Sequence, residues 1–296
     1  MISAQEAENR RKGLILLSMV TLIWGCNWPI MKTALTEIPP FWFVVYRFVL
    51  GGACITLLVA LRGNLKLPHR QDWPLVGGSA LMQMAAYSIF IVLGLKDLPA
   101  GRAALLAYTT PIWVIPLARL YLKEEITLKR ALAVVLGVGG ILVLIWPQSI
   151  SNIDMVQLGA YGLMALSALA WAISIVQVRG HKFVGTALDL APWQMLIALM
   201  VLIPLAFVMD GPPQFAFSGT AYAAMAYIGP LATAFAFWAI VAGGRLVPAN
   251  VMSIAMLAAP LIGLTLSVSF MGEQITLPLV VGILMIGMSL LLNLKR

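Results

Sequence analysis

The sequence contains few charged residues. Only 10% of its 296 residues are Asp, Glu, Lys or Arg, whereas 61% are hydrophobic. A typical soluble domain has about 25% charged and about 45–50% apolar residues. A water-soluble globule of this size could not bury so much apolar surface. The composition therefore excludes a soluble enzyme, a nucleic-acid binder and a disordered protein.

Cysteine and catalytic motifs are also scarce. Cys26 and Cys54 both lie in apolar runs, so they form neither a disulfide framework nor a metal-ligand set. His69 and His181 fall in loops, and the chain has no P-loop, no Gly-x-Ser-x-Gly and no zinc-binding spacing. The sequence predicts no catalytic residue, no metal, no cofactor and no ATP-driven pumping by this chain alone.

Long apolar runs make up most of the sequence. Each is long enough to cross about 30 Å of hydrocarbon as a helix. The ten runs cover residues 13–35, 40–61, 73–95, 99–120, 128–146, 157–178, 188–208, 219–242, 247–270 and 277–294. They predict an all-α integral membrane protein with ten transmembrane helices. The first run is too long for a signal-peptide core and has no convincing cleavage site, so we expect it to be retained.

The net charge of +8 is explained by membrane orientation rather than by nucleic acid. Three basic residues, Lys32, Lys96 and Arg102, fall on one side of the predicted bundle. The other side receives Arg10, Arg11, Lys12, Arg62, Lys66, Arg70, Arg119, Lys123, Lys129, Arg130, Arg179, Lys182, Arg245, Lys295 and Arg296. This bias predicts that both termini are cytoplasmic, in a bacterial inner membrane, which requires an even number of crossings.

The chain repeats itself internally. The stretch 22–25 (Leu-Ile-Trp-Gly) matches 169–172 (Leu-Ala-Trp-Ala) at an offset of 147 residues. Pro111 matches Pro260, and 124–127 (Glu-Glu-Ile-Thr) matches 273–276 (Glu-Gln-Ile-Thr), at an offset of 149. We therefore predict two repeats, residues 1–148 and 149–296, each with five spans. Because five is odd, the second repeat is inverted relative to the first, which is an architecture of transporters.

These motifs carry a family resemblance. Residues 22–32, Leu-Ile-Trp-Gly-Cys-Asn-Trp-Pro-Ile-Met-Lys, resemble the first-span signature of the EamA-type drug/metabolite transporter superfamily. Arg47 near the start of the second span, and the small-residue helices that end at Glu124 and Glu273, add to the resemblance. It covers the whole chain. Within the family the chain most resembles the YddG-type exporters of aromatic and other apolar amino acids.

Polar and aromatic residues in mid-span are candidates for a substrate cavity. Trp24 and Asn27 share one helix face, as do Trp171 and Ser174 in the second repeat, and both tryptophans lie far from a membrane interface. Core packing is the alternative role for each. The predicted substrate-binding residues are Trp24, Asn27, Gln83, Tyr87, Tyr108, Trp171, Ser174 and Trp238.

Several other residues in or beside the predicted spans have more than one possible role. Arg47 could bind a substrate carboxylate, pair with Glu37 or cap a helix end. Pro111 and Pro260 could be hinges or static kinks. Glycines in the fifth and tenth spans could serve packing within the chain or a dimer face. Thr127 and Thr276 are predicted N-caps, and the preceding glutamates are expected to stabilise the fold.

Together these features predict a transporter, not an enzyme, that exports amino acids or related metabolites by alternating access. No Asp, Glu or His lies in the middle third of a span, which favours a uniporter. The alternatives are a multidrug or quaternary-ammonium carrier, a nucleotide-sugar carrier and, disfavoured, an intramembrane enzyme. The expected partners are a small-molecule substrate and the lipid bilayer, without nucleic acid, for a chain that is a monomer or a weak homodimer.

Overall fold

The computed structural model of the protein describes residues 4–145 and 154–294, and all regular structure in them is helical. The predicted repeat boundary at 148/149 lies outside the described residues. The helices are α1 (Ala4–Ala34), α2 (Pro40–Leu61), α3 (Arg70–Asp97), α4 (Ala100–Leu122), α5 (Leu128–Ile145), α6 (Met155–Gly180), α7 (Ala187–Asp210), α8 (Gly219–Gly244), α9 (Ala249–Met271) and α10 (Leu277–Leu294).

Eight of these helices, α1 to α8, are long and apolar enough to cross a bilayer. In α9 and α10 the described apolar stretches are shorter, Ala255–Met271 and Leu277–Leu292. Connections between the helices are short. Large apolar side chains such as Leu57, Val135 and Leu284 are exposed on the helices, which suits contact with lipid.

The helix ends follow from local sequence. The predicted caps are confirmed, because the hydroxyls of Thr127 and Thr276 accept hydrogen bonds from backbone N–H groups three residues on, each at 3.4 Å. Two other ends match across the repeats. The chain leaves α4 at Lys123 (φ 57°) and α9 at Gly272 (φ 70°), both left-handed, in the manner of a Schellman motif.

Helix packing is symmetric under exchange of the two predicted repeats. Helix α1 packs against α8 and α9, and α6 correspondingly packs against α3 and α4. Helices α5 and α10 pack against each other, as do α2 and α7.

Two of these pairs are antiparallel. Gly140 of α5 lies against Ile286 of α10, and Gly282 lies against Leu144, so one chain direction opposes the other. In the second pair, Gly52 lies against Met195, while Trp42, earlier in α2, lies against Phe207, later in α7. The helices that the repeat would make equivalent therefore run in opposite directions.

Three helices are irregular near the centre of the bundle. Residues Ala80–Ala86 of α3 and Tyr227–Phe235 of α8 are π-helical, at matching places in the two repeats. Helix α4 is interrupted at Tyr108 and Thr109, and Pro111 begins its second half, where the missing N–H has no intrahelical partner to lose. At the matching position in the second repeat α9 continues as a helix through Pro260, and the hinge role of the two prolines stays a prediction.

Candidate functional site

A cavity of about 770 Å³ occupies the centre of the bundle. That volume lies within the range of about 300–1,000 Å³ that is typical of small-molecule sites. Helices α1, α3, α4, α6, α8 and α9 supply most of its wall, whereas α5 and α10 contribute one residue each, Arg130 and Leu290. The walls are mainly apolar and aromatic.

Six of the eight predicted substrate-binding residues line this cavity: Trp24, Asn27, Gln83, Tyr87, Tyr108 and Trp171. Arg47 and Pro111 line it as well, and Pro260 does not. Ser174 lies behind the wall, 1% exposed, and its hydroxyl donates to Gln83 Oε1 at 3.1 Å.

Trp238 also lies away from the cavity, with its ring packed against Phe235 at 5.7 Å between centroids, and its neighbour Phe237 faces the cavity instead. The π-helical segment just before it explains this difference. Each i→i+5 turn shifts the register of the residues that follow, relative to a 3.6-residue period.

Aromatic rings form the cavity wall and are held in place by neighbouring helices. Tyr87 of α3 and Trp171 of α6 meet edge to face, with 4.3 Å between ring centroids. The indole Nε1 of Trp24 donates to the carbonyl of Ala232 in the π-helical part of α8, at 3.0 Å. The π segment thus provides a carbonyl acceptor for a cavity side chain from the other repeat.

Arg47 lines the cavity close to Met31, toward the end of the bundle at which the cavity is closed. Its Nε donates to Thr233 Oγ1 at 2.9 Å, and the Thr233 hydroxyl in turn donates to Ile228 O at 2.8 Å. Among the described residues, the hydrogen-bond contact of its Nη1 is with the sulfur of Met31, at 4.0 Å. In the described part of the chain no carboxylate forms a salt bridge with Arg47. Pairing with Glu37 is not observed, because that carboxylate binds Ser218.

Asn27 supplies an amide oxygen without a hydrogen-bond partner among the described residues. The residue is 6% exposed, lines the cavity, and its Oδ1 is buried without a hydrogen bond among the described residues. It lies one helical turn before Met31, the residue that Arg47 approaches. Because a buried amide without a partner is costly, a ligand that reaches Asn27 gains a hydrogen bond that the protein alone does not make.

The cavity is open toward one end of the bundle. We call this end, which carries the start of α1, the amino-terminal end. There the cavity reaches Glu124, Arg130 and Arg179, whose side chains are between 27% and 43% exposed. At the opposite end the lining stops near Met31, Ile91 and Ala107, all buried. The structure is therefore open at the amino-terminal end and closed at the opposite end.

Several cavity residues were not predicted. In the sequence Met31 and Phe48 look like ordinary core residues. Apolar residues are common throughout the spans, so residue type alone does not predict which of them face a cavity. Met31 follows Asn27 by four residues, however, so the face shared by Trp24 and Asn27 could have indicated it. Phe48 adjoins Arg47 in sequence, and its ring lies 5.8 Å from the guanidinium carbon.

Comparison with known proteins identifies the family. The model of the EamA-like transporter family matches the chain twice, over residues 11–146 and 158–295. Among curated proteins, the chain is 24% identical over 289 residues to the "Uncharacterized transporter YoaV" of Bacillus subtilis (strain 168), covering 95% of this chain and 96% of that protein. It is also 24% identical over 276 residues to the "Probable amino-acid metabolite efflux pump" of Escherichia coli (strain K12), with 90% and 89% covered.

A solved crystal structure has the same fold. It aligns with 95% of this chain and 96% of its own, with a TM-score of 0.62 and 19% sequence identity. Taken with the two matches to the family model and the set of apolar helices, these comparisons show that the chain belongs to the EamA-like transporter family and is a multi-pass membrane transporter.

Proposed function

We propose that the protein exports amino acids with aromatic and other apolar side chains, or closely related metabolites. The observation that carries this proposal is Arg47, a guanidinium in an aromatic cavity with no carboxylate partner in the described chain. Two relatives are named probable amino-acid metabolite efflux pumps, one from Escherichia coli and one from Salmonella typhimurium, which supports the same substrate class.

The chemistry of the cavity suits such a substrate. A guanidinium binds a carboxylate through two parallel N–H groups, and in a site of low polarity this contact is strong. The Asn27 amide oxygen offers an acceptor for an ammonium group. The rings of Trp24, Tyr87 and Trp171 provide the apolar surface that a large side chain would cover.

The proposed architecture is ten crossings in two inverted repeats, residues 1–148 and 149–296. The family model matches each half separately, and the helices that would be equivalent pack antiparallel. The excess of Lys and Arg at the amino-terminal end supports cytoplasmic termini in a bacterial inner membrane. With that orientation, the cavity described above opens to the cytoplasm, and alternating access requires a second conformation that opens to the outside.

The other carrier classes fit this cavity less well. A quaternary ammonium substrate would call for a carboxylate in mid-membrane, and among the described lining residues the only carboxylate is Glu124, at the cytoplasmic end. A nucleotide sugar would need several unpaired basic residues for its phosphates, whereas Arg130 and Arg179 both bind Glu124. We propose no cofactor, no nucleic acid and no catalytic role, for a monomer or a weak homodimer.

Transport in proteoliposomes tests the proposal. The experiment measures the flux of labelled phenylalanine and leucine for the wild type, for Arg47→Gln, and for Arg245→Gln as a matched control. Arg245 is an exposed arginine that does not line the cavity. Loss of a charge-assisted contact costs about 1.5–3 kcal/mol, so Arg47→Gln should raise the half-saturating substrate concentration about 10- to 100-fold. Wild-type protein that moves neither amino acid, or an Arg47→Gln variant that transports both normally, would refute the proposal.

A further inference from the structure

Two glutamates at opposite ends of the bundle have the same local backbone structure before them, a left-handed residue at the end of a helix. Glu124 follows the left-handed residue Lys123 at the end of α4, and Glu273 follows the left-handed Gly272 at the end of α9. They are 149 residues apart, the offset that relates these two helices. The structure gives the two glutamates different partners.

Glu273 joins two helices at the closed end of the bundle. Its Oε2 accepts hydrogen bonds from the backbone N–H of Gly101 at 3.0 Å and from the hydroxyl of Ser267 at 2.5 Å, its Oε1 lies 3.6 Å from Nε of Arg102, and its side chain is only 2% exposed. A Cβ at position 101 would lie 2.5 Å from Leu264 Cδ1 and 2.6 Å from Glu273 Oε2, so α4 and α9 approach each other closely at Gly101. The carboxylate thereby joins the start of α4 to the end of α9.

Glu124 lies at the open end and makes no such helix contact through its carboxylate in the described structure. It binds Arg179 at the end of α6 and, at 3.3 Å, Arg130 of α5, and its side chain is 27% exposed. All three residues line the mouth of the cavity. The open end therefore has a partly exposed glutamate in ion pairs with Arg130 and Arg179, whereas the closed end has a buried glutamate at a helix start, beside Arg102.

The two basic residues at equivalent positions differ in the same way. Lys32 and Arg179 are 147 residues apart, the offset that relates α1 and α6. Lys32 Nζ donates to the carbonyls of Leu95 and Lys96 at the end of α3, both at 2.7 Å. Arg179 instead binds Glu124. At the closed end both charges contact helix ends, and at the open end they contact each other.

We propose that these four residues exchange partners when the cavity opens to the other end. In that second conformation Glu273 pairs with Lys32, Glu124 accepts from the backbone N–H groups at the start of α9, and Arg179 donates to the carbonyls at the end of α8. This inference rests on the alternating access of the proposed function, and it assigns to Lys32, Glu124, Arg179 and Glu273 the role of gating residues.

The exchange is favourable for a physical reason. A carboxylate is stabilised at a helix N-terminus and a cation at a helix C-terminus, because the unpaired backbone groups there carry partial charge. When an end opens, those contacts are broken, and an ion pair keeps both charges satisfied in water. In each conformation the glutamate and the basic residue at the closed end contact helix ends, and those at the open end contact each other, so none of the four charges loses its partner.

Disulfide crosslinking tests the predicted second pairing directly. In a Cys26→Ala/Cys54→Ala background, one protein carries Glu124→Cys with Arg179→Cys and another carries Lys32→Cys with Glu273→Cys. Each pair joins the two repeats, so cleavage at a protease site engineered between residues 146 and 153 leaves the halves linked only if the disulfide has formed. A third protein, Lys32→Cys with Ser218→Cys, is the control at the same end.

The proposal expects both gating pairs to crosslink under oxidation and the control pair to crosslink at least about 10-fold less. It is overturned if the 124/179 pair crosslinks and the 32/273 pair does not exceed the control. This readout uses no substrate, so failure of the amino-acid proposal would leave it intact, and failure of crosslinking would leave transport of amino acids intact.

Charge-neutral variants distinguish gating from simple stabilisation. Ser88→Cys, 3% exposed on the cavity wall, reports access for a membrane-impermeant thiol reagent added from either side. Glu273→Gln weakens the closed outer end and should raise the outside-to-inside ratio of labelling rates about 10-fold. Glu124→Gln should lower the ratio. Two shifts in the same direction, or none in folded protein, would contradict the exchange, because a merely structural role would not produce opposite shifts.

Discussion

The position of a tryptophan along a span is related to whether its indole lines the cavity. Trp171 lies at the middle of α6 with its ring against Tyr87, on the cavity wall, whereas Trp73 lies at the start of α3, 38% exposed, against Trp193. Mid-span position was the sequence feature that predicted the cavity role. Trp24 and Trp171 both line the cavity, and their contact with substrate stays a prediction.

We predict that Trp171→Ala and Tyr108→Ala each reduce transport of phenylalanine about 10-fold or more, because loss of a large aromatic contact costs about 1.5–3 kcal/mol. The folded fraction, measured by size-exclusion chromatography in detergent, should remain near that of the wild type. Trp73→Ala removes an aromatic side chain outside the cavity and should leave the flux unchanged. Equal loss of flux in all three variants would show that the effect is not specific to the cavity.

Glu37 gives a residue-scale prediction about pH. Its carboxylate accepts from the backbone N–H of Ser218 at 2.9 Å and from the Ser218 hydroxyl at 2.6 Å, and these bonds lower the pKa of Glu37. A lowered pKa means that the bond to Ser218 stabilises the fold above the ordinary pKa of a glutamate, and that this contribution is lost as the pH falls through the lowered value.

The expected result is a difference in melting temperature between wild type and Glu37→Gln that is present at pH 7 and shrinks toward zero below about pH 4, near the ordinary glutamate pKa. Because the carboxylate is exposed, the difference at pH 7 should be small, about 1–2 °C. A difference that grows on acidification would contradict the assignment. The measurement is thermal unfolding of purified protein in detergent at several pH values.

At the scale of the helix, glycines in α5 and α10 allow close packing. A Cβ at Gly282 would lie 2.6 Å from Leu144 Cγ of α5, whereas a Cβ at Gly287, on the same helix, would meet nothing within 4 Å. Gly140 is similarly close to Ile286. These contacts support the packing role that the sequence left open beside a dimer face.

Gly282→Ala should therefore lower the melting temperature by several degrees, because the added methyl forces α5 and α10 apart at a cost of about 1–3 kcal/mol. Gly287→Ala is the matched control, and it should leave the melting temperature unchanged or raise it slightly, since alanine favours the helix. If both substitutions destabilise equally, close approach at position 282 is not the cause.

Hydropathy predicted the helical segments well but not their irregularities. The runs at 40–61 and 128–146 correspond closely to Pro40–Leu61 and Leu128–Ile145, because bilayer thickness sets helix length. The π-helical segments of α3 and α8 have no such signal, since they depend on contacts with other helices. This is why Trp238, which was predicted to line the cavity, lies elsewhere.

Polar contacts between residues far apart in the chain could not be predicted from the sequence either. Asp210 at the end of α7 accepts from the backbone N–H groups of Phe41 and Trp42, at 2.7 and 3.2 Å, and so caps α2 from the other repeat. Asp72 is fully buried and binds His181 Nε2 at 2.9 Å. Such pairs join residues more than 100 positions apart, and no local pattern indicates which partner a loop carboxylate will meet.

For the whole molecule, orientation is the first testable property. In a background without cysteine, a cysteine at Asn64 should react with a membrane-impermeant thiol reagent only from the inside, and one at Ser218 only from the outside. Both positions are exposed and lie at opposite ends of the bundle. Ser151, which the sequence also predicts to be outside, lies beyond the described residues. Labelling of Ser218→Cys from the cytoplasmic side would overturn cytoplasmic termini.

Energy coupling is the second property of the whole molecule. A proton-driven exporter needs a titratable group that is exposed alternately to the two sides, and the sequence has no Asp, Glu or His in the middle third of a span. Arg47 cannot carry the proton, because a guanidinium stays protonated. Glu37, the rim carboxylate nearest to Lys32 in sequence, binds Ser218 outside the cavity. The proposed partner exchange gives Glu124 and Glu273 donors in both conformations, so neither needs to take up a proton.

We therefore predict facilitated diffusion, in which the substrate's own gradient drives export. The measurement is flux in proteoliposomes under an imposed pH gradient, at a fixed substrate gradient and with the voltage clamped. The flux should follow the substrate gradient and change less than about twofold when the pH gradient is reversed, because no group on the transport path carries a proton across. Uphill accumulation driven by the proton gradient alone would refute the uniporter. In that case Glu37→Gln, Glu124→Gln and Glu273→Gln would identify the carrier, since the variant that lacks it should still exchange substrate but no longer accumulate it.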